Sequence, residues 1–154
     1  MTNAQRLRNW YTEVWEKGNL DAITDFIAPD TIAKGIVPEM QMGIDDFRDL
    51  IMTFQAQVGR FEVDLPKVIA EGDWVSAFLV VRTSRTDTGA PLEVSGQVMA
   101  RFENGRIAEA YNHVDYICLL EQLDLLPPDT IPICMTGQRL DWVRQTPHSL
   151  ATAH

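Results

Sequence analysis

The spacing of apolar residues changes partway along the chain. Before Gly59, apolar side chains recur every three to four residues, which is the period of an amphipathic helix. Three segments show this pattern: Leu7 to Trp15, Leu20 to Ile27 and Phe47 to Phe54. Pro29 predicts the end of the second helix, because the residue before a proline avoids helical backbone. We therefore expect three helices first, with residues 30–37 as a loop or short strand.

After Gly59 the period becomes two, which is typical of strands with one buried face. Segments rich in Val, Phe and Thr run from Phe61 to Ala70, from Trp74 to Arg85 and through a long hairpin over residues 92–116. Helices that precede a set of antiparallel strands predict an α+β domain. We expect the sheet to curve over the helices and to enclose a core or a pocket.

The long hairpin carries the candidate chemistry. Asn104-Gly105 favours a two-residue type I′ turn, because both residues tolerate positive φ. If the strands pair without interruption from that turn, Gly96 lies opposite His113. Tyr111, His113 and Asp115 then alternate along one otherwise apolar face. A carboxylate on such a face would need a functional purpose.

Composition narrows the class of protein. The 154 residues suffice for one domain, and 45% hydrophobic with 23% charged residues is ordinary for a globular protein. The net charge of −9 argues against nucleic acid or a polybasic membrane contact, which need clustered Lys and Arg. No apolar run reaches the roughly 20 residues of a membrane span, and no signal peptide is indicated, so we expect a cytoplasmic protein. Cys118 and Cys134 lack metal-site spacing, so no metal is expected.

Several local signatures occur in a specific order. They are WYTEVWEKGNLDAITDFIAPD, then Gly43 before the third helix, then AEGDWVSAFLVV, then FENGRIAEAYNHVDYICLLEQLDLL. In this order they resemble the SnoaL-type polyketide cyclases of the NTF2-like, ketosteroid-isomerase-like superfamily. We predict one such domain over residues 1–126 and a C-terminal extension over residues 127–154. The resemblance implies a cone-shaped barrel, with three helices packed on a curved antiparallel sheet around an apolar pocket, usually dimeric and without a cofactor.

The resemblance also implies a general-base aspartate near the end of the last long strand, where Asp115 lies, with His113 in a supporting role. In an enclosed apolar site, desolvation would raise the pKa of a carboxyl group and make it a stronger base. The imidazole could donate a hydrogen bond to the developing enolate. Such chemistry suits aldol cyclisation or isomerisation of a cyclic or polyketide-like carbonyl compound.

Five further residues are candidates for substrate contacts: Tyr11, Trp15, Lys34, Gln97 and Tyr111. The first two would reach the cavity from the first helix. Lys34 stands where many relatives carry a His, and its ammonium could bind an anionic substrate group. Gln97 lies on the strand where ketosteroid isomerases carry the acid of their oxyanion hole. This strand has no aspartate, so steroid isomerisation is disfavoured.

Each assignment has a structural alternative. Asp115 directly precedes a helical segment and could be its N-cap. His113 could be a satisfied core residue, Lys34 could point to solvent, and the aromatic residues could serve packing. The competing function is a non-catalytic module of the same fold, which binds a hydrophobic small molecule or dimerises through the outer face of its sheet. A sealed or collapsed cavity without Asp115 favours that alternative, whereas an open pocket with Asp115 and His113 at its floor favours the enzyme. In the tail, Leu140, Trp142 and Val143 could dock on the domain, and Trp142 could plug the cavity.

Overall fold

The computed structural model describes residues 1–36 and 41–141. Its helical layer consists of α1 (Asn3–Trp10), a π-helical turn (Tyr11–Glu16), a 3-10 turn (Leu20–Ala22), α2 (Ile23–Phe26) and α3 (Ile44–Gln55). Thr2 caps α1 by accepting a hydrogen bond from the Gln5 N–H, and the Gln5 side chain accepts one from the Thr2 N–H. The three predicted helical segments are confirmed, but the second is shorter than predicted. The chain becomes a strand at Ile27, so Pro29 lies within that strand.

Six strands form one curved, unclosed sheet. They are β1 (Ile27–Lys34), β2 (Gln41–Met42), β3 (Glu62–Glu71), β4 (Trp74–Ser84), β5 (Pro91–Glu103) and β6 (Arg106–Val114), in the order β2-β1-β6-β5-β4-β3. The last four strands form the predicted antiparallel meander. One pair adds to the expected antiparallel arrangement, because β1 pairs in parallel with β6. The α+β class is confirmed.

Two apolar clusters hold the layers together. The larger cluster joins the helices to the inner face of the sheet, and its fully buried members include Leu7, Ile23, Ile51 and Val75. Burying one such side chain contributes about 1.5–3 kcal/mol. The smaller cluster has the buried members Val58, Phe61, Leu92, Val94 and Leu119. A cavity remains between the two clusters.

Helix α4 (Tyr116–Gln122) closes one end of this cavity. Gln122 holds it to the sheet, because its Oε1 accepts from the Glu93 N–H at 2.9 Å and its Nε2 donates to the Glu93 carbonyl at 2.7 Å. Strand β6 ends opposite Gly96, so Glu93 of β5 has no partner residue on β6. The Gln122 amide takes the place of that partner by bonding both backbone groups of Glu93. Arg85 adds an ion pair to Asp124 at 2.6 Å, just after the helix. The polar contacts thus fix α4 as a wall of the cavity.

The predicted C-terminal extension begins after α4. Its described part contains α5 (Thr130–Met135), which contacts α4 through a hydrogen bond from the Thr130 N–H to Glu121 Oε1 at 2.8 Å. Trp142 and Val143, predicted to dock, lie outside the described residues. Over residues 1–36 and 41–141, no helix is long and apolar enough to cross a membrane.

Candidate functional site

A cavity of about 130 Å³ lies between the helices and the inner face of the sheet. Residues from α1, α3, α4 and all the longer strands line it, and its wall is almost entirely apolar. Among the described lining residues there is no Asp, Glu, His, Lys, Arg or Cys. The polar side chains in the wall include Tyr11, Trp15, Thr31, Thr83, Asn112 and Tyr116.

The π-helical turn supplies two of these side chains. Its wider ring is closed by a hydrogen bond from the Lys17 N–H to the Thr12 carbonyl, five residues back, at 3.0 Å. Single π-helical turns occur frequently at functional sites. Tyr11 and Trp15 both line the cavity, so the structure places them where the sequence predicted them. Their contact with a substrate stays a prediction.

Two buried polar atoms of the wall have no hydrogen-bond partner among the described residues: Trp15 Nε1 and Thr83 Oγ1. Leaving a polar group buried and unpaired costs about 1–3 kcal/mol, so such a group calls for a water or ligand partner. The indole N–H can only donate, whereas the hydroxyl can donate or accept. Both groups therefore suit an oxygen atom of a ligand, such as a carbonyl oxygen.

The polar side chains on the opposite wall are already paired. Thr31 donates from its hydroxyl to the Ile107 carbonyl at 2.5 Å, and Asn112 Nδ2 donates to the Lys34 carbonyl at 3.1 Å. Both bonds join β1 to β6. Gly35 permits this approach, because it has φ of +80° and an added Cβ would lie 1.9 Å from the Asn112 carbonyl oxygen. These contacts hold β1 against β6, whereas the two unpaired groups belong to the π-helical turn and to β4.

The two tyrosines of the wall remain neutral at physiological pH. Burial raises the pKa of the Tyr11 phenol well above its ordinary value, and it raises the pKa of Tyr116 to about 12. Low dielectric surroundings disfavour the charged phenolate, which explains both shifts. The described cavity wall therefore offers neutral hydrogen-bond groups rather than a titrating acid or base.

The register of the long hairpin is shifted by one residue from the predicted one. The turn at Asn104-Gly105 forms as predicted, but Ala108 is an extra residue in β6 and forms a bulge. Beyond it, His113 pairs with Gln97 rather than with Gly96. The predicted register is therefore wrong beyond the bulge. A one-residue shift turns every following side chain of β6 to the opposite face of the sheet.

The bulge directs Ala110, Asn112 and Val114 to the cavity, and it turns the intervening residues outward. Gln97, Tyr111 and His113 therefore lie on the outer face of the sheet, away from the cavity. Lys34 joins them there, with its Nζ 5.9 Å from the centroid of the Tyr111 ring. The structure brings these four candidate residues together, but on the wrong side of the sheet for the predicted site. Their roles in binding or catalysis stay predictions.

Tyr111 belongs to a polar network on that outer face. Its phenol donates a hydrogen bond to Glu109, which raises the pKa of Tyr111 and lowers the pKa of Glu109. Arg101 Nε also donates to Glu109, at 3.0 Å. Trp74 stacks on the Tyr111 ring with the two centroids 6.4 Å apart. These contacts satisfy Tyr111 locally.

Asp115 is the N-cap of α4, and its Oδ1 accepts a hydrogen bond from the Cys118 N–H at 3.1 Å. The side chain is exposed and is not part of the described cavity wall. Its neighbours Val114 and Tyr116 do line the cavity. The structure thus gives Asp115 the capping geometry of the structural alternative, and its catalytic role stays a prediction.

Four polar wall residues were not predicted: Thr31, Thr83, Asn112 and Tyr116. A signal existed for Thr83, which continues the inward, period-two series of Val75, Ala77, Leu79 and Val81 along β4. Asn112 could not be assigned without the bulge. Among residues 1–36 and 41–141, no cluster of three or more His, Cys, Asp or Glu is placed to hold a metal ion.

A curved sheet over helices, around an apolar cavity, defines an NTF2-like α+β protein. A sequence profile of the SnoaL-like polyketide cyclases matches residues 5–123, and the chain belongs to this family. The search of curated proteins gave no significant match.

Solved structures share the fold. IdmH of Streptomyces antibioticus, a proposed polyketide cyclase, is 22% identical with a TM-score of 0.72, over 80% of this chain and 99% of that one. A proposed polyketide cyclase of Acidithiobacillus ferrooxidans is 21% identical with a TM-score of 0.69, over 79% and 94%. AclR of Streptomyces galilaeus, a proposed hydroxylase, is 19% identical with a TM-score of 0.69, over 82% and 100%. At these identities the likeness concerns the fold.

Proposed function

We propose that the cavity binds one small cyclic carbonyl compound. The observation that carries this proposal is the pair of buried, unpartnered groups, Trp15 Nε1 and Thr83 Oγ1, in an otherwise apolar wall. An oxygen of the ligand within hydrogen-bond distance would give either group the partner that burial demands. The apolar wall would take up the ring by the hydrophobic effect.

The size of the cavity limits the ligand to about one ring. An apolar cavity of about 150 Å³ takes up benzene, and the volume here is about 130 Å³. A polycyclic compound would need the wall to open, at the cost of separating packed side chains such as Trp15 and Phe61, whose ring centroids lie 5.9 Å apart. The space as it stands matches about one small ring, and a ring with a side group such as acetophenone needs only small shifts of the wall side chains.

The test compares acetophenone with ethylbenzene, which has nearly the same shape but no oxygen, by isothermal titration calorimetry. Trp15→Phe and Thr83→Val each remove one hydrogen-bonding group, so each should weaken acetophenone binding about two- to tenfold and leave ethylbenzene nearly unaffected. Trp74→Phe on the outer face is the matched control. The proposal fails if acetophenone does not bind or if both ligands lose affinity equally.

Family membership favours a second candidate, which is cofactor-independent cyclisation or isomerisation of the bound compound. In this candidate the wall donors would stabilise an enolate oxygen and Asp115 would remove the proton on the adjacent carbon, with His113 in support. Asp115 stands between two wall residues, but its carboxylate would have to leave the Cys118 N–H and turn inward. This requirement makes catalysis the less direct of the two candidates.

Exchange of the acetophenone methyl protons in D₂O, followed by NMR, tests the catalytic candidate. Asp115→Asn keeps a good N-cap but removes the base, so exchange should fall by roughly 10²–10⁴-fold, equivalent to about 3–5 kcal/mol of barrier. Asp49→Asn on the exposed side of α3 removes the same charge at a position outside the cavity wall and is the control. Unchanged exchange in Asp115→Asn would exclude Asp115 as the base.

We also propose that the protein forms a homodimer through the outer face of its sheet. Large apolar side chains are exposed there on neighbouring strands: Ile69 is 72% exposed, Met99 44% and Phe78 38%. Exposed apolar patches of this kind favour an interface. Analytical ultracentrifugation should show that Met99→Glu dissociates the dimer, while Met52→Glu, on the exposed side of α3, does not. A monomeric wild-type protein would refute the proposal.

A further inference from the structure

A second void lies beside the cavity and is separated from it by two side chains. It measures about 460 Å³, and Phe61 and Thr83 line both spaces. The other lining residues of this void, which we call the vestibule, are Glu16, Arg60, Glu62, Arg82 and Ser84. Because Arg60, Glu62 and Arg82 are exposed, the vestibule faces solvent. Phe61 and Thr83 therefore form a partition between solvent and the cavity.

The partition is held close to β4. Gly59 donates a backbone hydrogen bond to the Ser84 carbonyl at 2.7 Å, and a Cβ at Gly59 would lie 2.8 Å from Ser84 Oγ. This close approach fixes the segment that carries Phe61, which is 8% exposed and contacts the Trp15 ring edge-on. Thr83 contributes its unpartnered hydroxyl to the same partition. A polar group with no partner thus lies where the two spaces adjoin.

The charged groups of the vestibule differ in how far they are already paired. Glu16 Oε1 accepts a hydrogen bond from the Val63 N–H at 2.7 Å. Arg82 uses Nε for Glu93, at 2.9 Å, which leaves its two terminal nitrogens. Arg60 makes no ion pair with any described residue. Guanidinium groups bind carboxylates through paired, charge-assisted hydrogen bonds.

We propose that the vestibule binds the carboxylate of an elongated ligand whose carbonyl-bearing ring occupies the cavity. Arg60 and Arg82 receive the carboxylate, and a short tether crosses the partition when Phe61 leaves its edge-on contact with Trp15. An open chain is narrower than a second ring, so this one contact is the packing that the ligand has to replace. The inference rests on the proposed binding of a ring in the cavity. It narrows the ligand class to cyclic or aryl ketones that carry a carboxylate on a short chain.

Calorimetry with three probes tests this inference: acetophenone, 4-oxo-4-phenylbutanoate and the methyl ester of that acid. The acid should bind the wild-type protein about two- to fivefold more tightly than the ester, which is the range for an exposed ion pair. Arg60→Gln and Arg82→Gln should each reduce this acid-to-ester ratio. Arg106→Gln should preserve it, because it makes the same charge change at the exposed hairpin turn, at the opposite end of β5.

The outcomes separate this inference from the proposed function. If acetophenone binds but the acid binds no more tightly than the ester, the vestibule is not a carboxylate site and the cavity proposal stands. A ratio that neither Arg60→Gln nor Arg82→Gln reduces would overturn the vestibule proposal as well. If none of the three probes binds, both proposals fall. If acetophenone fails while the acid binds with arginine dependence, the cavity proposal falls, and the vestibule proposal falls with it, because the ring of the acid would then lie outside the cavity.

Discussion

Two threonine-to-valine substitutions should change the stability of this protein in opposite directions. Thr83 and Thr31 both line the cavity from strands, and valine has nearly the same shape and a similar strand preference. Thr31 is fully buried and Thr83 half-buried, but the difference that matters here is in the hydroxyl groups. The hydroxyl of Thr83 is buried without a partner, whereas that of Thr31 donates to the Ile107 carbonyl at 2.5 Å. The pair therefore isolates the free energy of an unmade hydrogen bond.

The expected magnitudes follow from these contacts. Thr83→Val removes an unpaired buried hydroxyl, so the free energy of unfolding should rise by about 1–2 kcal/mol, within the usual cost of such a group. Thr31→Val removes a made bond and leaves the Ile107 carbonyl without that donor, so the free energy of unfolding should fall by about 1–3 kcal/mol. For a domain of this length, each kcal/mol corresponds to a shift in Tm of about 2–4 °C.

Urea denaturation followed by circular dichroism measures both changes, and scanning calorimetry gives the shifts in Tm. The slope of the unfolding transition should stay constant across the variants, since neither change alters the surface exposed on unfolding. The reasoning is refuted if Thr83→Val is neutral or destabilising, because its hydroxyl must then have a partner in the folded state. A stabilised Thr83→Val that also loses affinity for acetophenone would show that the unpaired group is kept for binding.

Three further predictions concern the walls of the cavity. Burial raises the pKa of Tyr116 to about 12. The stability that this shift confers is complete below about pH 10 and is lost as the pH rises towards 12. Denaturation measured as a function of pH should show a smaller alkaline loss of stability in Tyr116→Phe. Gln122→Glu removes the donor to the Glu93 carbonyl and should lower the free energy of unfolding by about 1–3 kcal/mol, whereas Gln57→Glu in the exposed turn after α3 should change it by less than about 0.5 kcal/mol. Gly35→Ala should destabilise by several kcal/mol and Gly72→Ala by only about 1–2 kcal/mol, since both have positive φ but only Gly35 would meet backbone atoms; equal losses of Tm would contradict this clash.

Most of the fold could be predicted because its sequence signals agree with one another. Helix α3 carries apolar residues at helical spacing and begins after Gly43, and the turn at Asn104-Gly105 forms where the sequence places it. The meander of β3 to β6 follows from period-two segments between turns. The parallel pairing of β1 with β6 could not be predicted, because it joins segments some 76 residues apart through contacts such as that of Thr31 with Ile107. Local periodicity contains no information about such distant partners.

The candidate site was harder to predict than the fold, because it depends on which face of β6 meets the cavity. Along β6 the two alternating sets both mix apolar and polar residues, so the hydrophobic pattern does not choose between them. The bulge at Ala108 adds one residue to β6 and so determines which set faces the cavity. Nothing in the chemistry of an alanine marks it as a bulge. On β4, by contrast, four apolar residues in alternation define the inner face, and Thr83 extends that series. Thr83 continues a clear apolar series, and such a polar residue is a good sequence signal for a cavity site. His113 lies on a strand whose two faces are alike, so its sequence position does not show whether it faces the cavity.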